Sequence, residues 1–247
     1  MKMKQSRPFC KEDADRIYDL AYSQSPTGLS EPVRQALDVI ESAMVRFGND
    51  GLSISFNGGK DCTVLVHLFA AALIRNSNES VNELPKIKSL YIKSKASFAE
   101  VDQFVHHCES KYNLDLMSFD GTLKEGLSDF MEKNQNTIKA ILIGTRSTDP
   151  RGASLKAFDP TDDDWPSIVR VHPILEWNYN QVWHFLRLLE VDWCELYNQG
   201  YTSLGSSLNT FPNPLLKTQN GWKGAWELED PSGERAGRFV ASIQSAG

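Results

Sequence analysis

The residues of this chain with the clearest capacity for chemistry stand together as Ser55-Phe56-Asn57-Gly58-Gly59-Lys60-Asp61-Cys62-Thr63. Two adjacent glycines let the backbone turn sharply and point successive N–H groups outward, which makes an anion nest. A helix after the turn adds its unpaired amides and the positive end of its dipole. Lys60 brings a full positive charge to the same place, so the chemistry indicated is the holding of phosphate. The plainer alternative is a tight turn in which Gly58 and Gly59 supply geometry and Asp61 is a first-turn acid. The loop is not a Walker A sequence, because Gly59-Lys60 is followed by Asp61 and no glycine stands five residues before Gly59.

The elements needed to position such a loop are written around it. Residues 52–56 read as a short strand ending at the loop, and residues 60–75 as the helix that follows. Ahead of them, 31–47 reads as a helix, with Val33, Ala36, Leu37, Ile40, Ala43 and Met44 at helical spacing. Beyond them come strands at 87–92, 114–119 and 138–143, separated by helices at 98–112 and 123–134. This alternation predicts βαβ units and hence an α/β fold, a mostly parallel open sheet with helices on both faces. Ligands of such sheets bind beyond the carboxyl ends of the strands, where the Gly-Gly turn falls. Residues 144–166 are long, polar and turn-rich, with Trp165 and flanking prolines favouring order, and a last helix is expected at 180–189.

The 247 residues are 40% hydrophobic and 23% charged, an ordinary globular composition. Twenty-six Lys and Arg against 32 Asp and Glu give a net charge of -6, which argues against nucleic acid or an anionic membrane as partner. Residues 64–74 are apolar apart from His67 and too few to span a bilayer. The start has no apolar core, so neither a secretory signal nor a mitochondrial presequence is expected. Cys10, Cys62, Cys108 and Cys194 are scattered, which suits a reducing compartment, and a cytoplasmic location is expected. His67 reads as a packed core residue, and His106-His107 have no zinc spacing around them. No repeat or heptad demands assembly, so a monomer is expected.

The loop resembles the pyrophosphatase-type SGGxDS loop of the adenine-nucleotide α-hydrolase superfamily, in the variant of its PAPS reductase-like branch. Further motifs make the chain similar to the eukaryotic FAD synthases (FMN adenylyltransferases) over about 30–238. Ser55 to Asp61 is similar to that family's SFNGGKD, and Gly144-Thr145-Arg146 with Thr148-Asp149-Pro150 to its GxRxTDP. Thr161-Asp162 with Trp165-Pro166 resembles TDxxWP. Leu196-Tyr197 with Gly200-Tyr201-Thr202-Ser203-Leu204-Gly205, and Glu234-Arg235-Ala236-Gly237-Arg238, resemble the C-terminal motifs. The approach to Phe98-Ala99-Glu100-Val101 departs from the pattern, being basic at Lys93 and Lys95 with alanine where proline is usual.

The resemblance implies transfer of AMP from ATP to the FMN phosphate, giving FAD and pyrophosphate, with Mg²⁺ as cofactor. It also implies an N-terminal helical extension at 1–29, a nucleotide-binding domain at 30–195 and a flavin-site extension at 196–247 packed on that domain. Ser55, Asn57, Gly58, Gly59, Lys60, Cys62, Tyr91, Ile92 and Gly144 would bind ATP and its pyrophosphate. Asn57, Asp61 and Arg146 would be catalytic, with Asp61 the metal contact or, more plainly, a helix-dipole acid. Asp149, Asp162, Trp165, Arg235 and Arg238 would serve FMN, with Asp149 alternatively helping to hold the metal; an Asp-Pro turn, a loop anchor and a solvated basic face are the ordinary roles that compete for Asp149, Trp165 and the arginine pair. Cys62 at a helix start would have a lowered pKa yet a hydrogen-bonding role. FAD-requiring apoproteins are candidate recipients of the product. PAPS reduction needs a tail cysteine, and none follows Cys194. An ATP sulfurylase subunit would share the phosphate loop but leave the flavin-associated motifs unexplained, and a nucleotide binder without turnover would not need the whole set of Asn57, Lys60, Asp61 and Arg146.

Overall fold

The strand that leads into the Gly-Gly turn, β1 (Leu52–Ser55), has parallel partners on both sides, and its first three residues are buried. The structure is a computed structural model and describes residues 7–23, 28–77, 83–93 and 96–239; Ser94 and Lys95 of the divergent segment lie outside them. One neighbour of β1 is β2 (Ile87–Lys93), with β3 (Leu114–Asp120) beyond it. The other is β4 (Ala140–Leu142), followed outward by β6 (Val169–Val171) and β5 (Phe158–Pro160). The order is therefore β3-β2-β1-β4-β6-β5, parallel except for the β5–β6 pair.

Strands are laid outward from β1 in one direction, then β4 is placed on its other side. Right-handed crossovers accordingly put α3 (Lys60–Asn76) and α4 (Ala99–Lys111) on one face and α5 (Leu123–Lys133) on the other. Burial follows this rule. Leu52, Ile54, Ile87, Tyr91 and Leu142 share a large core with α2 (Ser30–Phe47), α3, α4 and α6 (Tyr179–Leu188). Leu90, Phe119 and Ile141 meet Leu127, Phe130 and Met131 of α5 in a smaller one. The predicted architecture is present, with the two faces unequally covered. α1 (Lys11–Tyr22) packs outside α2 and α3. β5 and β6 are not expected from the sequence, because three-residue strands are too short to show alternation; Pro160 sits on the outermost strand, where a missing N–H costs no ladder bond.

α3 is buried from Lys60 to Ile74 apart from Asp61, so it is apolar around most of its circumference. His67 lies within it, 4% exposed, its Nδ1 2.9 Å from the Tyr112 hydroxyl. Burial pushes its pKa down to about 3. An unfolded histidine takes up a proton near pH 6.5, while the folded one stays neutral, so this contribution to stability is whole above about pH 6.5 and is lost as pH falls toward 3. His67→Gln is expected to narrow the stability difference between pH 7 and pH 4 in urea melts; an unchanged difference would show that other groups set the acid limb.

Candidate active site

The strand order switches sides at β1, which leaves a crevice between the carboxyl ends of the parallel strands β1 and β4. On the β1 side, Phe56 is fully buried and its N–H donates to Leu90 O at 2.9 Å, which fixes where the loop begins. Gly58 has φ +71°, a conformation that L side chains rarely adopt. Asn57 Oδ1 accepts from the Gly59 N–H at 3.0 Å and from Cys62 Sγ at 2.7 Å. The Lys60 N–H, in the first turn of α3, donates to the Tyr197 hydroxyl at 2.8 Å, so a residue from far along the chain caps this helix. On the β4 side, Gly144 rests on the α3 start: a Cβ there would stand 2.9 Å from Cys62 N and 3.0 Å from the Asp61 carbonyl carbon.

Under the crevice lies a buried cluster of charges. Lys60 Nζ is 3.0 Å from Asp61 Oδ2 and 2.5 Å from Glu234 Oε1. Arg146, 1% exposed, sets Nη2 at 2.7 and 2.8 Å from the two Glu234 oxygens. Its Nε is 2.8 Å from Asp61 Oδ1, an ion pair without hydrogen-bond alignment, and its backbone N–H donates to Asp149 Oδ2 at 2.8 Å. Burial opposes the Arg146 charge, but Asp61 and Glu234, with help from Asp149, outweigh it and raise the guanidinium pKa above its ordinary value. Arg146 Nη1 is buried without a hydrogen-bond partner among the described residues, an unsatisfied strong donor next to the cluster.

Above the cluster is a cleft of about 400 Å³. Ser55, Asn57, Gly59, Lys60, Asp61 and Cys62 line it from the first loop and helix, Tyr91 and Ile92 from β2, Gly144 and Asp149 from the β4 side, and Arg235 from the C-terminal segment. Gly58 shapes the turn, and Arg146 lies beneath the lining. Arg238 stands one layer back, its Nη1 donating to Leu204 O at 2.8 Å, while Leu204 and Gly205 face the cleft. Asp162 and Trp165 are not brought to the lining: Asp162 is exposed, and Trp165 packs on the smaller core. Asp149 also opens a turn, its carbonyl accepting from the Gly152 N–H at 2.8 Å with Pro150 in between, so the plain Asp-Pro turn is present alongside its place in the cleft.

One expectation is corrected. Cys62 does not have the lowered pKa of a thiol at an open helix start; burial pushes it up to about 11, and Sγ donates to Asn57 Oδ1 and to Gly59 O at 3.3 Å. Sequence reasoning also gives no role to Glu234 or Tyr197, although both stand inside the C-terminal motifs. An acid beside two arginines reads as a surface pair, and a tyrosine in a turn as packing; neither pattern signals a contact made with a distant part of the chain.

No group of three or more His, Cys, Asp or Glu among the described residues is arranged to hold a metal by itself. Asp61 and Asp149 both line the cleft, and Mg²⁺ takes one or two carboxylates and completes its shell with phosphate oxygens and water, so these are the carboxylates there that such an ion could use.

Residues 51–134 and 124–212 match the family model of the phosphoadenosine phosphosulfate reductase domain, which defines the class of nucleotide-binding fold. The chain is 39% identical to a probable FAD synthase of Schizosaccharomyces pombe over 220 residues, 88% of this chain and 83% of that relative. It superposes on the crystal structure of Candida glabrata FMN adenylyltransferase with a TM-score of 0.84 at 26% identity, covering 96% of this chain and 99% of the other. The same enzyme in complex with FAD and inorganic pyrophosphate gives 0.79 at 27% identity, covering 95% and 99%. The chain belongs to the FAD synthase family.

Proposed function

We propose that this protein transfers AMP from ATP to the phosphate of FMN, releasing pyrophosphate and forming FAD. The observation that carries this reading is the pair of buried cations, Lys60 and Arg146, at a cleft that Arg235 also lines. An FMN phosphate oxygen attacks the α-phosphorus in line. That oxygen is already anionic near neutral pH, so the site needs no strong general base, and catalysis rests on positioning and charge neutralisation. Lys60 and the Gly58-Gly59 turn serve the departing pyrophosphate, Asn57 orients the phosphates, and Arg146 offers its uncommitted Nη1 to the α-phosphate. Asp61, and Asp149 beside it, would hold Mg²⁺, which supplies charge neutralisation on the triphosphate when bound.

The 196–247 extension carries the flavin side of the site. Burial, and then the neighbouring charge of Arg235, lower the Arg238 pKa, as expected of two guanidiniums sharing a place meant for an anion. Asp162 and Trp165 would meet the isoalloxazine only beyond the present cleft lining. No helix among the described residues is long and apolar enough to cross a membrane, and all four cysteines are free. We read the protein as a cytoplasmic monomer that supplies FAD to apoproteins.

Chromatography of the protein mixed with FMN, ATP and Mg²⁺ tests the reading. Equimolar FAD and pyrophosphate are expected; sulfate-dependent pyrophosphate release, or no product, would overturn it. Gly205→Ala isolates the FMN side. Its Cβ would collide with the Arg238 guanidinium, the mobile end of a long side chain that can swing aside at little cost to the fold. The KM for FMN is expected to rise about tenfold, with the KM for ATP and the melting temperature nearly unchanged. Arg238→Ala should act the same way more strongly. Equal effects on both substrates would assign Arg238 a structural role.

A further inference from the structure

The two cations at the base of the cleft already hold an anion. Lys60 Nζ and Arg146 Nη2 both donate to the Glu234 carboxylate, at 2.5 to 2.8 Å, and Glu234 lines the cleft. To a lysine and an arginine, a carboxylate offers what a phosphate offers: anionic oxygens that accept charge-assisted hydrogen bonds. Asp61 and Asp149 alone would balance Lys60 and Arg146; Glu234 is the third carboxylate and leaves the cluster net negative. A polyanion entering the cleft therefore meets Lys60 Nζ and Arg146 Nη2 already engaged by Glu234.

The main chain of Glu234 is fixed independently of its side chain. Thr202 Oγ1 donates to Glu234 O at 2.6 Å, and Asn213 Nδ2 donates to Gly233 O at 2.8 Å and to Thr202 Oγ1 at 2.9 Å. The carboxylate can then leave the cations by rotating about its own side-chain bonds while the segment bearing Arg235 stays in place.

We infer that Glu234 is a displaceable internal competitor for the pyrophosphate end of the triphosphate. It occupies Lys60 and Arg146, gives way as phosphates arrive, and returns to the cations as pyrophosphate departs. The inference rests on the adenylyl-transfer reading. Its consequence is weaker ground-state binding of the phosphates and faster product release, which favours turnover over affinity. A fixed strut that merely orients Arg146 would use the same contacts but gives the opposite sign when removed.

The test is calorimetric titration of inorganic pyrophosphate, with and without Mg²⁺ and in the absence of FMN, into wild type, Glu234→Ala and Glu234→Gln, with melting curves for each. Both variants are expected to bind pyrophosphate about tenfold or more tightly, and pyrophosphate should inhibit their FAD formation at correspondingly lower concentration. Loss of packing does not create affinity for a ligand, so a gain separates displacement from structural support. Equal or weaker binding by Glu234→Gln, which keeps the size of the side chain, overturns the inference. Should the wild-type protein form no FAD, the adenylyl-transfer reading falls, while the titration still decides whether Glu234 competes for this seat.

Discussion

Arg146→Ala is expected to abolish measurable FAD formation and to cost about 3–5 kcal/mol of folding stability, the usual range for removing one partner from a buried ionic cluster. Asp61, Asp149 and Glu234 all converge on this guanidinium, which is 1% exposed. Without it, Lys60 is left as the only partner of Asp61 and Glu234 in the cluster, and Asp149 loses its cation. Arg146→Lys separates the two effects. A lysine restores a charge but not a fork that can reach Asp61 with one nitrogen and Glu234 with another. Most of the stability should return in urea melts while kcat stays low. Near wild-type kcat in Arg146→Lys would mean that charge alone matters there and that no directed contact to the α-phosphate exists.

The same residue shows how far the sequence can be read. That Arg146 leaves the carboxyl end of a strand beside the Gly-Gly turn follows from alternating helices and strands, which are local patterns. That it sits buried among three acids does not, because two of its partners come from distant parts of the chain and Glu234 is 88 residues away. Helices α2 to α6 are legible to within a residue or two from their apolar residues, α3 as a nearly unbroken apolar run with His67 in the core as expected, whereas α1 is expected only as a helical extension without bounds of its own. β5 and β6 are hidden by their length. Cys62 misleads because position at a helix start is visible in a sequence, whereas burial, the larger influence on this thiol, is a property of the packed whole. The family likeness names Asp162 and Trp165, and the geometry leaves them outside the cleft, so their part in flavin binding stands on that likeness alone.

Gly144→Ala carries the other large expected effect, for a reason opposite to that of Gly205→Ala. Its Cβ would lie 2.9 to 3.1 Å from Cys62 N, the Asp61 carbonyl carbon and Cys62 Cα, all backbone atoms in the first turn of a buried helix. None of these can swing aside, so the β4 loop and the start of α3 must separate, at about 1–3 kcal/mol, the cost typical of overpacking. Separation moves Asp61 away from Arg146 and widens the crevice in which both substrates must meet in line. A displacement near 1 Å is enough to cost about a hundredfold in rate when catalysis rests on positioning. The expected result is a folded protein, modestly destabilised in urea, whose kcat falls far more than either KM changes. If kcat held while both KM values rose, the contact would serve substrate affinity, and the spacing of the β1 and β4 loops would not control the reacting geometry.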